Sequence, residues 1–114
     1  MAPRTRKTVE FRMVNDEELP PVIIKYDEGE LLNEFSKYID NTYDQHYSLN
    51  KYQSTEFIID SGHGEGFCIG NIMKYAQRYG KKNGKNRADI LKVLHYALFM
   101  LYVHDKMEKT NDEN

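Results

Sequence analysis

The sequence predicts a mainly α-helical domain of about four helices, and three observations support this fold class. Apolar residues recur every three or four positions in residues 27–41, 67–79 and 88–105, which is the period of a helix packed on one side. Gly62 and Gly80 each follow a predicted helix, where a left-handed residue commonly ends the helix. The chain has 114 residues, which is enough for one modest hydrophobic core but not for two.

The first 26 residues differ in pattern from the rest of the chain. Val9, Phe11 and Met13 alternate with polar neighbours, and two prolines precede an apolar run at residues 22–24. We therefore predict an N-terminal extended arm or short β-hairpin over residues 1–26. The helical domain is expected over residues 27–105, and a polar tail over residues 106–114.

Two of the predicted helices lie in the middle of the chain. The first begins after Asp27, a possible N-cap, and ends near Asn41. Residues 42–52 are polar and rich in tyrosine, which predicts a loop carrying His46 and Tyr47. A short helix is expected over residues 54–61, followed by a flexible glycine-rich connector at residues 62–66.

The last two predicted helices, residues 67–79 and 88–105, each have an apolar stripe and an opposite face. At 100° per residue the predicted core stripes contain Ile69, Ile72, Met73, Ala76 and Tyr79, then Ile90, Leu91, Leu94, Ala97, Leu98 and Leu101. The opposite faces carry Asn71, Lys74 and Arg78, then Asp89, Lys92 and Tyr96. The opposite face of the final helix does not stay polar, because it continues toward the C-terminus with Val93, Phe99, Met100 and Val103. A helix that is apolar on both sides is usually covered by another subunit as well, which predicts a homo-oligomer.

Composition excludes several classes of protein. Lys and Arg number 16 against 18 Asp and Glu, so whole-chain charge gives no argument for nucleic acid. No stretch of 18 apolar residues and no signal peptide is found, so membrane spanning and export are not expected. The single cysteine, Cys68, cannot form an internal disulfide and lies among apolar neighbours. We predict a soluble cytoplasmic protein.

The cationic face of residues 67–79 is suited to phosphate. Arg78 offers a planar fork for two oxygens, Lys74 a mobile charge and Asn71 a neutral donor, and Lys81 and Lys82 follow directly. From spacing alone, a solvated polar face whose basic end complements the helix dipole explains these residues as well.

A second group of candidate site residues lies on the final predicted helix. If that helix packs antiparallel to the preceding one, the side chains of Asp89, Lys92 and Tyr96 face the same cleft as the cationic face described above. From spacing alone, Asp89 is better explained as a carboxylate favoured near a helix N-terminus.

Other known motifs that bind phosphate or metal ions are absent from the sequence. The run at residues 80–86 is one residue too short for a P-loop, has Asn86 in place of the magnesium-binding Ser/Thr, and follows a helix instead of a strand. The histidines form no metal-ligand pattern with Cys68, so no zinc site is expected. We expect no bound cofactor.

Several separated motifs occur together over residues 46–105. They are His46-Tyr47, Glu56-Phe57-Ile58, the run from Gly66 to Tyr75, Arg78, Gly80-Lys81-Lys82, Asp89, Leu91-Lys92 and Tyr96. In this order they resemble the small bacteriophage proteins labelled nucleotide kinases, similar to an early deoxynucleoside monophosphate kinase of a lytic coliphage. Residues 1–45 do not match the longer, cysteine-rich N-terminal region of that protein.

This resemblance implies phosphoryl transfer from a nucleoside triphosphate to a deoxynucleoside monophosphate by an oligomer that lacks a P-loop. Mg²⁺ is then a plausible companion of the nucleoside triphosphate. The implied catalytic residues are Lys74, Arg78, Asp89 and Lys92. The implied substrate-binding residues are His46, Tyr47, Asn71, Tyr75, Lys81, Lys82 and Tyr96. The protein would act in the cytoplasm, which is the host cytoplasm if a phage encodes it.

Two other functions are compatible with the same sequence. A non-catalytic protein that sequesters a nucleotide-derived defence signal would use the same pocket. A nucleic-acid accessory protein would use the basic N-terminal residues and bind with steep salt dependence, but the near-neutral net charge ranks it last.

Overall fold

The computed structural model of the chain describes residues 7–9, 12–14, 17–19, 22–44 and 48–113. The helices are α1 (Glu28–Asp44), α2 (Ser48–Asp60), α3 (Gly64–Arg78) and α4 (Arg87–Glu113). The strands are β1 (Lys7–Val9), β2 (Arg12–Val14), β3 (Glu17–Leu19) and β4 (Val22–Ile24). The predicted class, mainly helical with four helices, is confirmed. Within these ranges, none of the helices combines the length and the apolar character that a membrane-spanning segment requires.

The strands form two antiparallel pairs, one nested within the other along the sequence. Strand β1 pairs with β4, with Thr8 opposite Ile23, and β2 pairs with β3, with Met13 opposite Glu18. The prediction of one short hairpin or an arm is therefore replaced by two strand pairs. The chain divides into two compact units, Met1–Tyr38 and Ile39–Asn114, and the boundary falls within α1.

Helix α1 begins where the sequence predicted and continues one turn further. The Asp27 carbonyl accepts the first helical hydrogen bond, from the Leu31 amide at 2.9 Å, and Glu28 accepts a hydrogen bond from the Tyr26 amide. The helix ends at Asp44 instead of Asn41, and the Thr42 hydroxyl bonds both the Ile39 carbonyl and the Tyr52 hydroxyl.

Helices α2 and α3 both begin earlier than predicted. Residues 48–53 show no apolar period, but the Tyr52 ring packs on Tyr43 of α1 and on Phe99 of α4. Residues 64–66, predicted as a flexible connector, form the first turn of α3 because Gly64 is buried against other helices. Tertiary packing therefore extends both helices beyond what local composition indicates.

The turn between α2 and α3 uses Gly62 as predicted. Its φ is 88°, and its amide bonds the Ile59 carbonyl while the His63 amide bonds the Ile58 carbonyl. These two hydrogen bonds form a Schellman motif, which satisfies the free carbonyls at the end of α2. A residue with a side chain would be strained at this φ.

The turn between α3 and α4 leads into α4, the longest of the described helices. Gly80 has a φ of 87°, and the Asn86 side chain caps α4 by accepting a hydrogen bond from the Ala88 amide at 3.0 Å. Helix α4 then continues to Glu113, so the predicted helix end at Asp105 is wrong. The residues directly after Asp105 have good helix propensity and extend the helix without needing an apolar stripe: Lys106, Met107, Glu108 and Lys109.

Helices α3 and α4 pack antiparallel. Arg78 lies beside Asp89 near the turn, and Gly64 lies against Val103 at the far end. Helix α2 packs alongside, where Tyr52 contacts His95 and the Lys106 ammonium bonds Asp60 at 2.6 Å. The fully packed positions between these helices include Cys68, Tyr96 and Val103.

The predicted core stripes of α3 and α4 face the wrong way. On α4, Leu94 is 45% exposed and Leu98 is 44% exposed, whereas Asp89 and Tyr96 on the opposite face are buried. On α3, Met73 is 65% exposed. The periodicity located an apolar stripe correctly, but the aromatic and charged face makes the intramolecular contact because its larger rings interlock across the helix pair.

The close packing of Gly64 of α3 against α2 and α4 can be tested by substitution. A Cβ at this position would lie 3.0 Å from a Val103 methyl and 3.1 Å from Ile59. Gly64→Val is therefore expected to lower the free energy of unfolding by about 1.5 kcal/mol through overpacking. Gly66→Val is the matched control, since nothing lies within 4 Å of its Cβ. Urea denaturation measures both variants, and equal effects would contradict the packing explanation.

Candidate functional site

Three cationic side chains surround one tyrosine ring between α3 and α4. The Lys74 and Lys92 ammonium nitrogens each lie 5.0 Å from the centroid of the Tyr75 ring, and the Arg78 guanidinium carbon lies 5.2 Å from it. The face of an aromatic ring attracts cations, so Tyr75 stabilises this gathering of like charges. We call Lys74, Tyr75, Arg78, Asp89 and Lys92 the Tyr75 cluster.

Asp89 is the fully buried member of the cluster. Its Oδ1 lies 3.1 Å from the Arg78 Nε, and its side chain is 0% exposed while that of Arg78 is 24% exposed. Neither carboxylate oxygen makes a hydrogen bond with the part of the chain that the structure describes, and nor does the Arg78 Nε. Charge attraction therefore holds this pair, and it fixes Arg78 beside the Tyr75 ring.

The cluster continues into a packed group of aromatic rings. Tyr96 stacks on Tyr75 with centroids 5.9 Å apart, and Phe67 and Phe99 contact the Tyr96 ring by their edges. Tyr96 is 6% exposed. The buried Tyr96 ring therefore holds the Tyr75 ring in position by stacking against it.

The structure brings some predicted site residues together and separates others. Six of them lie together between α3 and α4, as described above: Lys74, Tyr75, Arg78, Asp89, Lys92 and Tyr96. Asn71 instead donates a hydrogen bond to the Phe67 carbonyl of its own helix, and Lys81 bonds Gln77 on the surface. Lys82 is exposed in the turn after α3. His46 and Tyr47 lie outside the described residues.

Sequence reasoning missed Lys51, which reaches the same group from α2. Its ammonium lies 5.9 Å from the Tyr96 ring centroid. The polar residues around it were assigned to a loop, so no helical face was available to place it. The only sequence signal is its position between Tyr47 and Tyr52, and that spacing points to no particular site.

His95 was also missed as a perturbed group. It is 6% exposed and stacks on Phe99, with ring centroids 4.5 Å apart. Burial, with a smaller contribution from the nearby Lys51 charge, lowers the pKa of His95 to about 4. Burial likewise raises the pKa of Tyr52, although the hydrogen bond between Tyr52 and Thr42 opposes this rise. Both side chains are therefore neutral at pH 7.

The electrostatics of the Tyr75 cluster favour an anion. Asp89 compensates Arg78, but no carboxylate in the described segments pairs with Lys74 or Lys92. Two uncompensated cations close to a third repel one another, and a bound anion would relieve that repulsion. The arrangement can therefore bind an anionic group and stabilise negative charge that develops on it.

A model of one protein family matches residues 41–98, about half of the chain, and is described as protein of unknown function DUF3310. The chain belongs to the DUF3310 family. No curated protein and no solved structure is significantly similar to it. The expected relationship to phage nucleotide kinases stays a prediction, because the DUF3310 description assigns no activity.

The DUF3310 segment contains the whole Tyr75 cluster together with Lys51 and Tyr96. It runs from the end of α1 into the middle of α4 and omits the strand pairs. Burial raises the pKa of the Cys68 thiol within this segment, which disfavours the reactive thiolate. The cysteine of this DUF3310 protein is thus a packing residue. In the described ranges, no group of three or more His, Cys, Asp or Glu side chains could hold a metal ion.

Proposed function

We propose that the Tyr75 cluster binds the phosphates of nucleotides and that the protein is a nucleotide kinase of phage type. The observation that carries this proposal is the pair of uncompensated lysines, Lys74 and Lys92, each 5.0 Å from the same tyrosine ring. Three cations and one carboxylate leave the cluster with a net charge that suits a doubly charged phosphate monoester. The resemblance over residues 46–105 supports nucleotides as the source of that phosphate.

Phosphoryl transfer would use these side chains for positioning and charge stabilisation. The bond from the γ-phosphorus to its bridging oxygen breaks, and a bond from that phosphorus to an oxygen of the acceptor phosphate forms. Lys74, Lys92 and Arg78 would stabilise the charge on the transferred group. Asp89 would position Arg78, since it is fully buried and contacts that side chain. Mg²⁺ would arrive with the triphosphate, whose oxygens and waters supply most of its ligands.

The second candidate is a non-catalytic protein that sequesters a nucleotide-derived signal. The burial of Asp89 favours it, because the carboxylate of the cluster does not reach a ligand without movement of Arg78. Binding without turnover needs only the cations. A protein with either function would act in the cytoplasm, where free nucleotides occur.

Removing both lysines is expected to weaken nucleotide binding about 100-fold, since each charge-assisted contact contributes about a factor of ten. Isothermal titration of Lys74→Ala/Lys92→Ala with a deoxynucleoside monophosphate and with a non-hydrolysable triphosphate measures the loss. Lys109→Ala, an exposed lysine on the same helix as Lys92, should bind as the wild type does. Equal affinities for the double variant and the wild type would contradict a phosphate site at this cluster.

A turnover assay separates the two candidates. The wild-type protein is mixed with a deoxynucleoside monophosphate, a nucleoside triphosphate and Mg²⁺, and the products are separated by ion-exchange chromatography. Diphosphate product that is lost in Lys74→Ala/Lys92→Ala supports the kinase. Tight binding without product supports sequestration, and the absence of both binding and product contradicts both candidates.

A further inference from the structure

Helix α4 has an exposed apolar stripe along the side that faces away from the Tyr75 cluster. The large aliphatic side chains of this stripe are 44–61% exposed. Ala97 lies between them and is also exposed. At 100° per residue they fall on one side of the helix, opposite Tyr96 and Val103. We call this surface the leucine stripe: Ile90, Leu94, Ala97, Leu98 and Leu101.

Neither neighbouring helix covers the leucine stripe. Helix α3 meets α4 through Asp89, Lys92 and Tyr96, and α2 meets it through other residues on that same half of the helix: His95, Phe99 and Lys106. These contacts leave the large side chains on the other half of α4 exposed. Four large aliphatic side chains in a row on one helix are typical of a protein interface.

Few apolar side chains are buried within one copy of the chain, which indicates that another chain permanently covers the leucine stripe. The buried apolar side chains in the described part of the chain are Cys68, Tyr96 and Val103, whereas the whole leucine stripe is exposed. A chain with so few buried apolar side chains needs additional apolar burial in order to fold stably. A second copy of the same chain is present whenever the protein is made, so it can supply that burial throughout folding.

The charges at the two ends of the leucine stripe specify how the copies meet. Lys82 and Lys85 are exposed in the turn that precedes its N-terminal end, and Asp105 and Glu108 lie on the same side of α4 as the stripe at its C-terminal end. No charged residue interrupts the stripe between Ile90 and Leu101. An antiparallel copy places these lysines near the acidic end of its partner, whereas a parallel copy places like charges together.

We propose that two copies of this chain pack α4 against α4, antiparallel along the leucine stripe, with a two-fold axis near Ala97 and Leu98. Each stripe then contacts the same stripe of its partner, as a two-fold interface requires. Leu94 of one copy packs against Leu101 of the other. The Tyr75 cluster lies on the opposite side of α4, so this inference does not rest on the proposed function.

Site-directed cross-linking tests the interface and its direction. Ala97→Cys treated with a short bis-maleimide is expected to give a covalent dimer, because the two Ala97 positions lie next to the axis. Ile90→Cys is the matched control on the same stripe: its partner position lies opposite residue 105, about 22 Å away along the helix. Native Cys68 is 0% exposed and does not compete. Cross-linking of Ile90→Cys as efficient as that of Ala97→Cys would overturn the antiparallel arrangement.

Dissociation by a buried charge tests the same surface without cross-linking. Leu98→Asp is expected to raise the dimer dissociation constant about 100-fold in sedimentation equilibrium, because it places an unpaired charge in the apolar interface. α-Helical circular dichroism checks that the variant folds. If Leu98→Asp does not fold, Ala97→Glu serves as the second variant. Phe57→Asp is the control, since Phe57 on α2 is 74% exposed and lies off the stripe. A wild-type protein that is monomeric at all concentrations, or a dimer that Leu98→Asp leaves intact, would overturn the proposal.

Discussion

Arg78→Met is expected to lower the free energy of unfolding by about 3 kcal/mol, because it leaves the buried Asp89 carboxylate without a counter-charge. The partial exposure of Arg78 places the effect at the lower end of the range for such pairs. Guanidinium denaturation monitored by circular dichroism measures the change. The same variant should also lose phosphate binding, since the guanidinium beside the Tyr75 ring is removed.

A double-mutant cycle separates the charge effect from general damage. Arg78→Met/Asp89→Leu should recover to within about 1 kcal/mol of the wild type, because an apolar pair of similar volume replaces the buried ion pair. Lys106→Met removes the exposed ion pair with Asp60 and should change stability little. If the double variant is no more stable than Arg78→Met, the Arg78–Asp89 charge interaction is not the cause.

Lowering the pH from about 7 to about 5 is expected to reduce the free energy of unfolding by about 2 kcal/mol through His95. The pKa of this histidine is about 4 in the folded state against 6.5 for an ordinary histidine. Between these values the unfolded chain binds a proton that the folded protein does not. Stability is therefore complete above pH 6.5 and falls as the pH drops towards 4. Urea denaturation at the two pH values gives the slope.

His95→Phe should abolish this part of the pH dependence while keeping an aromatic ring stacked on Phe99. The difference between the two pH values is the readout, so an altered stability at pH 7 does not affect the test. His104→Gln is the matched control, because His104 is exposed on the same helix and should leave the slope unchanged. A slope that persists in His95→Phe would assign the effect to other groups.

Local sequence signals predicted the parts of the fold that depend on local physics. The helical class and the ends of α2 and α3 were predicted from apolar periodicity and from glycines, and Gly62 and Gly80 adopt the positive φ that this reasoning requires. The start of α1 after Asp27 followed from its capping preference. Each of these features is fixed by residues within one or two turns of the chain.

Features that depend on distant contacts were predicted poorly. The first turns of α2 and α3 contain residues that favour a loop, and they are helical because Tyr52 and Gly64 pack on other helices. Periodicity cannot tell which of two apolar faces points inwards, since both faces of α4 carry large apolar side chains. The face with interlocking aromatic rings contacts α2 and α3.

The residues of the candidate site were recognisable in the sequence only as two separate helical faces. Their meeting depends on the antiparallel packing of α3 and α4, which sets the Arg78–Asp89 contact at 3.1 Å. Lys51 could not be placed, since its helix was not predicted, and the perturbed pKa of His95 depends on burial that no local pattern reveals.

The sequence by itself determined the helical class, the glycine turns and the presence of a cationic face beside an acidic helix start. The tertiary structure decided which faces meet, that three cations share the Tyr75 ring, and that the leucine stripe points outwards. The physical reason is one of range. Backbone conformation follows from neighbours within a helical turn, whereas burial and electrostatic pairing depend on side chains brought together from distant positions in the chain.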